Sequence, residues 1–154
     1  MHDSRAVANE ILKIAWEERI ALTPMQIIKL VFFAHGWSLG LRGKPLVSHE
    51  VRAWQYGPVI REVYWAFNKF GRAPISELAT DEFGASAVEP FDESERKLLR
   101  GIVRGYGHLH AFQLSDMTHE PGTPWTESYQ PGQRARIDNR LIYKYFRGLA
   151  QQSR

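Results

Sequence analysis

The sequence predicts a mainly α-helical domain, a compact bundle of about five or six helices with one short β-hairpin packed against it. Three observations support this prediction. Apolar residues recur at helical spacing in several long segments. Two segments begin with a capping box, in which a side chain three residues into the helix closes back on the cap residue. One stretch, Ala53–Val59, alternates instead, and its Gly-Pro pair marks a sharp turn.

The composition of the 154 residues, 44% hydrophobic and 24% charged, is typical of a soluble globular domain. We expect one domain over residues 4–150 and a frayed tail over 151–154. The chain has no cysteine, which excludes disulfides and thiolate chemistry. Together with the lack of a signal-like segment or a long apolar run, this predicts a cytoplasmic protein. The net charge of +3 permits an acidic or nucleic-acid partner and requires neither.

The first two helices are predicted from apolar spacing and capping residues. Residues 4–20 read as an amphipathic helix. Thr23 is the predicted cap of the second helix, with Pro24 in its first turn and Gln26 closing a capping box. This helix should run to about Leu41, and its apolar surface is wide enough for burial on two sides, which makes it the predicted central helix. Three polar residues interrupt that surface: Lys29, His35 and Ser38.

The segment after the central helix predicts the hairpin and a third helix. Leu46–Val47 and Glu50–Tyr56 read as its two short strands. Pro58 is expected in the first turn of the following helix, where its missing N–H costs nothing. That helix should extend to about Phe70 and end at Gly71.

The second half of the chain predicts three more helical segments. Residues 71–91 have little periodicity and read as a long, mobile connection. Asp92 and Glu95 form the second capping box, at the start of an amphipathic helix. The remaining predicted elements are a short helix at Ala111–Thr118, a rigid loop at His119–Trp125 and a last helix beginning near Asp138.

The sequence contains no signature of catalysis or metal binding. It lacks HExxH, a clustered carboxylate set, a GxSxG elbow and a phosphate-binding loop. His119 lies three residues beyond Asp116, so an acid–base or metal pair is conceivable. We interpret His119 instead as a residue that fixes the loop before Trp125 by hydrogen bonding to backbone. We therefore predict no enzymatic activity, no catalytic residue, no cofactor and no metal.

Two surfaces could bind a partner. Basic residues crowd the C-terminal region, and the partner-binding candidates among them are Arg136, Arg140, Lys144 and Arg147. If the last helix lies beside the helix after Asp92, they form a positive face for phosphate or for an acidic protein surface. The alternative is an ordinary solvated face. The chain also has five tryptophans, more than one small core needs, and surplus Trp and Tyr near Arg is typical of protein interfaces.

Several motifs in order resemble a known family over roughly residues 5 to 149. They are Lys29-Leu30-Val31 with Phe33–Trp37, Gly43–Leu46, Ala53–Val59 with Val63-Tyr64, and later Leu114-Ser115, Thr118-His119 and Pro124-Trp125. Together they closely resemble the Panacea antitoxin domain, the family that includes SocA-like and GepA-like phage-associated proteins.

The resemblance implies an antitoxin of a toxin–antitoxin system, often carried on prophages, that binds and neutralises a protein toxin encoded in the same operon. It also implies that some members deliver the toxin to an AAA+ protease. The motif residues expected mainly to build the scaffold are Lys29, Trp54, Tyr56, Gly57, Pro58, Thr118, His119 and Trp125. Toxin choice would fall to the 71–91 connection and the basic last helix. The alternative function is a phage or host regulatory protein that binds nucleic acid through the basic C-terminal face.

Overall fold

The computed structural model describes residues 1–152 and confirms the predicted fold class. That part of the chain contains seven α-helices and a small three-stranded antiparallel sheet. The helices are α1 Ser4–Glu17, α2 Pro24–Arg42, α3 Arg61–Phe67, α4 Glu93–Tyr106, α5 Ala111–His119, α6 Pro124–Ser128 and α7 Asn139–Gln152. The strands are β1 Val51–Trp54, β2 Gly57–Val59 and β3 Ala135–Ile137, and a 3-10 turn at Asn68–Phe70 follows α3.

The second helix is the centre of the fold, as its wide apolar surface predicts. Fourteen of its 19 residues are buried, and α1, α3, α4, α5, α7 and β2 all pack against it. The predicted capping box is present, because Gln26 Oε1 accepts from the Thr23 N–H at 2.8 Å. A side chain at Gly36 would overlap the Phe146 ring, so α7 lies directly against the α2 backbone. This close approach explains why α2 and α7 form the most extensive helix pair.

One predicted strand of the hairpin is present, because β1 lies within Glu50–Tyr56, but its partner strand differs from the prediction. β1 pairs with β2 across a two-residue turn, Gln55-Tyr56, whereas Leu46–Val47 is not part of the hairpin. Pro58 lies in β2 opposite Ala53 rather than in a helix, and α3 begins only at Arg61. A proline is tolerated there because β2 is an edge strand of the β2-β1-β3 sheet. The prediction mistook this strand for the first helical turn.

Other differences are smaller. α1 ends at Glu17 rather than at residue 20, because Arg19 adopts a positive φ of 60°. α6 forms where a loop was expected, with Thr123 as its cap. The 71–91 connection has no helix or strand of its own. The Asn9 side chain holds it through hydrogen bonds to the backbone of Ala79 and Ala87 at 2.8–2.9 Å, which argues against the expected mobility.

The last helix continues through Gln152, so the first two residues of the predicted tail are helical, and residues 153–154 lie outside the described part. Within residues 1–152, no helix is both long and apolar enough to cross a membrane.

Candidate functional site

Eight residues from four parts of the chain meet around the β1–β2 turn. We call this group the corner, and it consists of Lys29, Trp54, Tyr56, Gly57, Pro58, Thr118, His119 and Trp125. α2 supplies the lysine, the hairpin supplies the backbone at the centre, and α5 and α6 supply the last three side chains. The residues quoted for the family motifs are therefore neighbours in space, although 96 positions separate the first from the last (125 − 29).

Lys29 lies under the hairpin and is fully buried. Its Nζ donates hydrogen bonds to the carbonyl oxygens of Tyr56 at 2.9 Å and of Pro58 at 3.3 Å. Within residues 1–152 no carboxylate pairs with this amine. Burial therefore lowers the pKa of Lys29 to about 7, because a buried ammonium loses its hydration. A neutral amine has two N–H groups, which matches the two carbonyl acceptors.

Gly57 lets the hairpin approach this lysine. Its φ of +118° is a backbone conformation that residues with a side chain rarely adopt. A Cβ at this position would overlap Lys29 Nζ and would lie 3.0 Å from Thr118 Oγ1 and 3.3 Å from His119 Cε1. Glycine is therefore required here for two reasons: the positive φ, and the lack of space for a side chain.

The end of α5 closes the other side of the turn. Ser115 Oγ donates to the Tyr56 carbonyl at 3.2 Å, so that oxygen accepts from two side chains. The Ser115 carbonyl in turn accepts from Thr118 Oγ1 at 2.7 Å and from His119 Nδ1 at 2.6 Å. His119 thus bonds to backbone, as interpreted from the sequence, although the carbonyl belongs to α5 and not to the loop. The His119 ring also contacts the ring of Trp125, with the two centroids 3.9 Å apart.

Trp125 joins α6 to the sheet. Its indole Nε1 donates to the Trp54 carbonyl at 2.6 Å, and its ring stacks on Tyr129 with centroids 4.5 Å apart. Thr123, the cap of α6, donates through Oγ1 to the Thr118 carbonyl at 2.8 Å, which ties α6 to the end of α5. The hydrogen bonds of Lys29, Ser115, Thr123 and Trp125 therefore hold the hairpin against α2, α5 and α6.

Neither of two pockets described for residues 1–152 offers a substrate site at the corner. A cavity of about 330 Å³ is lined by residues 18–21, Gln26 and residues 107–110, and includes no corner residue. The pocket that Thr118 and Trp125 help to line has a volume of only about 10 Å³, too small for a substrate. Within residues 1–152 no group of three or more His, Asp or Glu side chains could hold a metal ion. The side chains of the corner anchor the backbone of the β1–β2 turn, and the Lys29 amine is enclosed beneath it.

The predicted basic residues do not form one free surface. Arg136 lies on β3 rather than on α7 and pairs with Glu50 at 3.6 Å. Arg140 pairs with Asp138 at 3.3 Å, and their side-chain hydrogen bond raises the pKa of Arg140. The Arg140 backbone N–H, followed by its side chain, lowers the pKa of Asp138. The last two candidates differ from each other: Arg147 donates to the Gly40 carbonyl at 3.3 Å, whereas Lys144 is exposed.

A second surface combines tryptophan, tyrosine and arginine side chains, the composition that the sequence itself indicates as typical of protein interfaces. We call it the outer face, and it consists of Arg52, Trp54, Tyr64, Trp65, Arg134 and Arg136. Burial alternates along β1, so Val51 and Ala53 are buried while Arg52 and Trp54 are partly exposed. The alternation along β1 is the local sequence signal that places Arg52 and Trp54 on one face. No such signal predicts β3, because a strand of three residues is too short to show a period.

The comparisons with known proteins agree on one family. The family model described as Antitoxin SocA-like, Panacea domain, matches residues 27–126, a range that contains the whole corner and ends before α7. The chain is also 33% identical over 128 residues to Antitoxin SocA of Caulobacter vibrioides (strain NA1000 / CB15N), which covers 80% of this chain and 68% of that protein. No solved structure matches significantly. The chain therefore belongs to the SocA-like antitoxin family that is defined by the Panacea domain.

Proposed function

We propose that this protein neutralises a cognate protein toxin, encoded in the same operon, by direct stoichiometric binding. The observation that carries the proposal is the family match, because it covers the complete corner and the similar curated protein is itself an antitoxin. This chain would either cover the active site of the toxin or hold the toxin in an inactive conformation. The expected cytoplasmic location is part of this proposal.

The proposal assigns no chemical step to this chain. Lys29, the residue with the most perturbed amine, is enclosed and bonded to two backbone carbonyls, so it is not available to a substrate. His119 Nδ1 and the indole nitrogen of Trp125 likewise donate to backbone oxygens. Binding alone is therefore the activity that the site supports.

Co-expression with the neighbouring reading frame tests the proposal. We expect that frame's product to arrest growth alone and to be harmless when this chain is present. The purified pair should co-elute at a fixed ratio, and titration calorimetry should give one binding stoichiometry. Growth arrest that this chain does not relieve would contradict the proposal.

Delivery of the toxin to an AAA+ protease is a separate part of the proposal, taken from the resemblance. If it holds, the toxin's half-life in cells should shorten when this chain is present and recover when the protease is depleted. If neutralisation is by binding alone, the half-life should not change while growth is still rescued.

A further inference from the structure

We propose that the outer face is the surface that docks the toxin, and that it recognises a protein surface rich in carboxylates. This inference rests on the proposed function and names its contact surface. It assigns recognition to the sheet and α3, instead of to the C-terminal helix that the sequence pattern favoured.

The side chains of the outer face form one continuous row. Arg134 lies over the Trp54 ring, with its guanidinium carbon 4.9 Å from the ring centroid. The Trp54 ring meets Tyr64 edge-on at 5.2 Å between centroids, and Tyr64 meets Trp65 in the same way at 5.2 Å. Trp, Tyr and Arg side chains arranged in this way are the residues that dominate the binding energy of protein interfaces. The row is held in place by its own contacts, so little side-chain entropy would be lost on binding.

The charge on this face is strongly unbalanced. Arg52 and Arg136 lie directly opposite each other on β1 and β3, and both contact the carboxylate of Glu50. Arg134 has no ion pair within residues 1–152; its carbonyl accepts from Arg52 Nη1 at 3.0 Å, which brings the two arginines together. Two of the three arginines therefore share the Glu50 carboxylate, and Arg134 has no ion pair within residues 1–152. A partner surface that carries Asp or Glu side chains would form ion pairs with this excess positive charge.

One further observation favours an interface over a merely solvated surface. Trp65 is 65% exposed, and its ring continues the row that Trp54 and Tyr64 form. Contiguous exposed apolar area of this kind marks interaction sites, whereas single exposed apolar residues do not.

The basic residues of α7 do not share these properties. Arg140 is paired with a neighbouring aspartate, and Arg147 bonds to the Gly40 carbonyl. Lys144 is exposed beside Tyr143, the one large hydrophobic of α7 that is exposed, at 41%. These residues provide the matched control, because they allow the same charge change to be made away from the outer face.

The test measures binding of the purified product of the neighbouring reading frame by calorimetry. We expect Trp65→Ala and Arg134→Glu each to weaken binding by about 30-fold or more, the loss typical of an interface hot spot. The matched control, Arg140→Glu with Lys144→Glu, should change the affinity by less than about 3-fold. Circular dichroism and thermal unfolding should match the wild type for every variant, because all the substituted residues are exposed. A carboxylate-to-lysine change on the toxin should restore binding to Arg134→Glu.

The other outcomes are distinguishable. If the wild-type chain binds and the outer-face variants bind equally well, the inference is wrong and the proposed function stands. The same conclusion follows if the α7 variant loses as much affinity as the outer-face variants. If the wild-type chain does not bind, both the inference and the proposed function are wrong. If the outer-face variants instead lose salt-sensitive binding to a single-stranded RNA oligonucleotide, the partner is a nucleic acid and the protein-docking inference is overturned.

Discussion

The two sides of the β1–β2 hairpin differ in how their polar and charged groups are used. On the inner side, Lys29, Gly57 and the end of α5 enclose the turn, and the Lys29 amine and the Tyr56 carbonyl are bonded within the chain. On the outer side, Arg52 shares the Glu50 carboxylate with Arg136 and lies beside the partly exposed Trp54. Trp54 belongs to both sides, since its carbonyl accepts from Trp125 while its ring lies under Arg134. A family motif can therefore include scaffold residues on one side of the hairpin, while the recognition that we propose uses side chains on the other side.

The largest effect is expected from closing the space under the turn. Gly57→Ala should lower the free energy of unfolding by about 3 kcal/mol, because the new Cβ adds overlap with Lys29 Nζ to an unfavourable φ. Gly84→Ala is the matched control, since Gly84 has a φ of +83° and open space around it. That variant should lose only about 1 kcal/mol of unfolding free energy. Urea unfolding followed by tryptophan fluorescence measures both values. If both variants lose the same unfolding free energy, the overlap with Lys29 does not destabilise the fold.

The second prediction concerns pH and the buried amine. The pKa of Lys29 is about 7 in the folded chain and about 10.4 when unfolded, so between these values the unfolded state binds more protons. Stability should therefore rise with pH across this window and be lost as pH falls toward 7. From pH 7 to 9 the wild type should gain about 2 kcal/mol more than Lys29→Met, which has no group to titrate there.

Urea unfolding of both chains at the two pH values measures this difference directly. The remaining lysines and tyrosines cancel in the comparison, since both chains contain them. If Lys29→Met keeps the full pH dependence, the amine is charged in the folded state and the carbonyls of Tyr56 and Pro58 stabilise an ammonium.

How far the sequence predicts this arrangement depends on the range of each interaction. The starts of α2 and α4 follow from the local capping residues Thr23 and Asp92, and both are confirmed. Nothing local indicates that Lys29 bonds to carbonyls 27 and 29 positions away, or that β3 pairs with a strand more than 80 residues earlier. The resemblance identified the corner residues as a group, and only the tertiary structure relates them to one another.

The third prediction separates scaffold from recognition. Trp125→Phe removes the donor to the Trp54 carbonyl and should cost about 1–2 kcal/mol of unfolding free energy. Affinity for the toxin, measured per mole of folded protein, should be unchanged, because this group faces the inside of the corner. Trp65→Phe is the control on the outer face, where no measurable change in stability is expected. Weakened binding by folded Trp125→Phe would show that α6 belongs to the interface.

The smallest effect tests the charge balance of the outer face. Glu50 contacts both Arg52 and Arg136, so Glu50→Gln leaves two arginines directly opposite each other without a shared carboxylate. We expect a loss of about 0.5 kcal/mol in unfolding free energy, which should shrink as added salt screens the repulsion. Glu77→Gln, which removes the partner of Lys69 on an exposed pair, should have no comparable effect. The same Glu50→Gln change removes the carboxylate that pairs with two arginines of the outer face, so it should tighten binding of an acidic partner even as it weakens the fold. A variant that loses stability and gains affinity would separate the two sides of the hairpin in one measurement, whereas a loss of both would make Glu50 part of the contact.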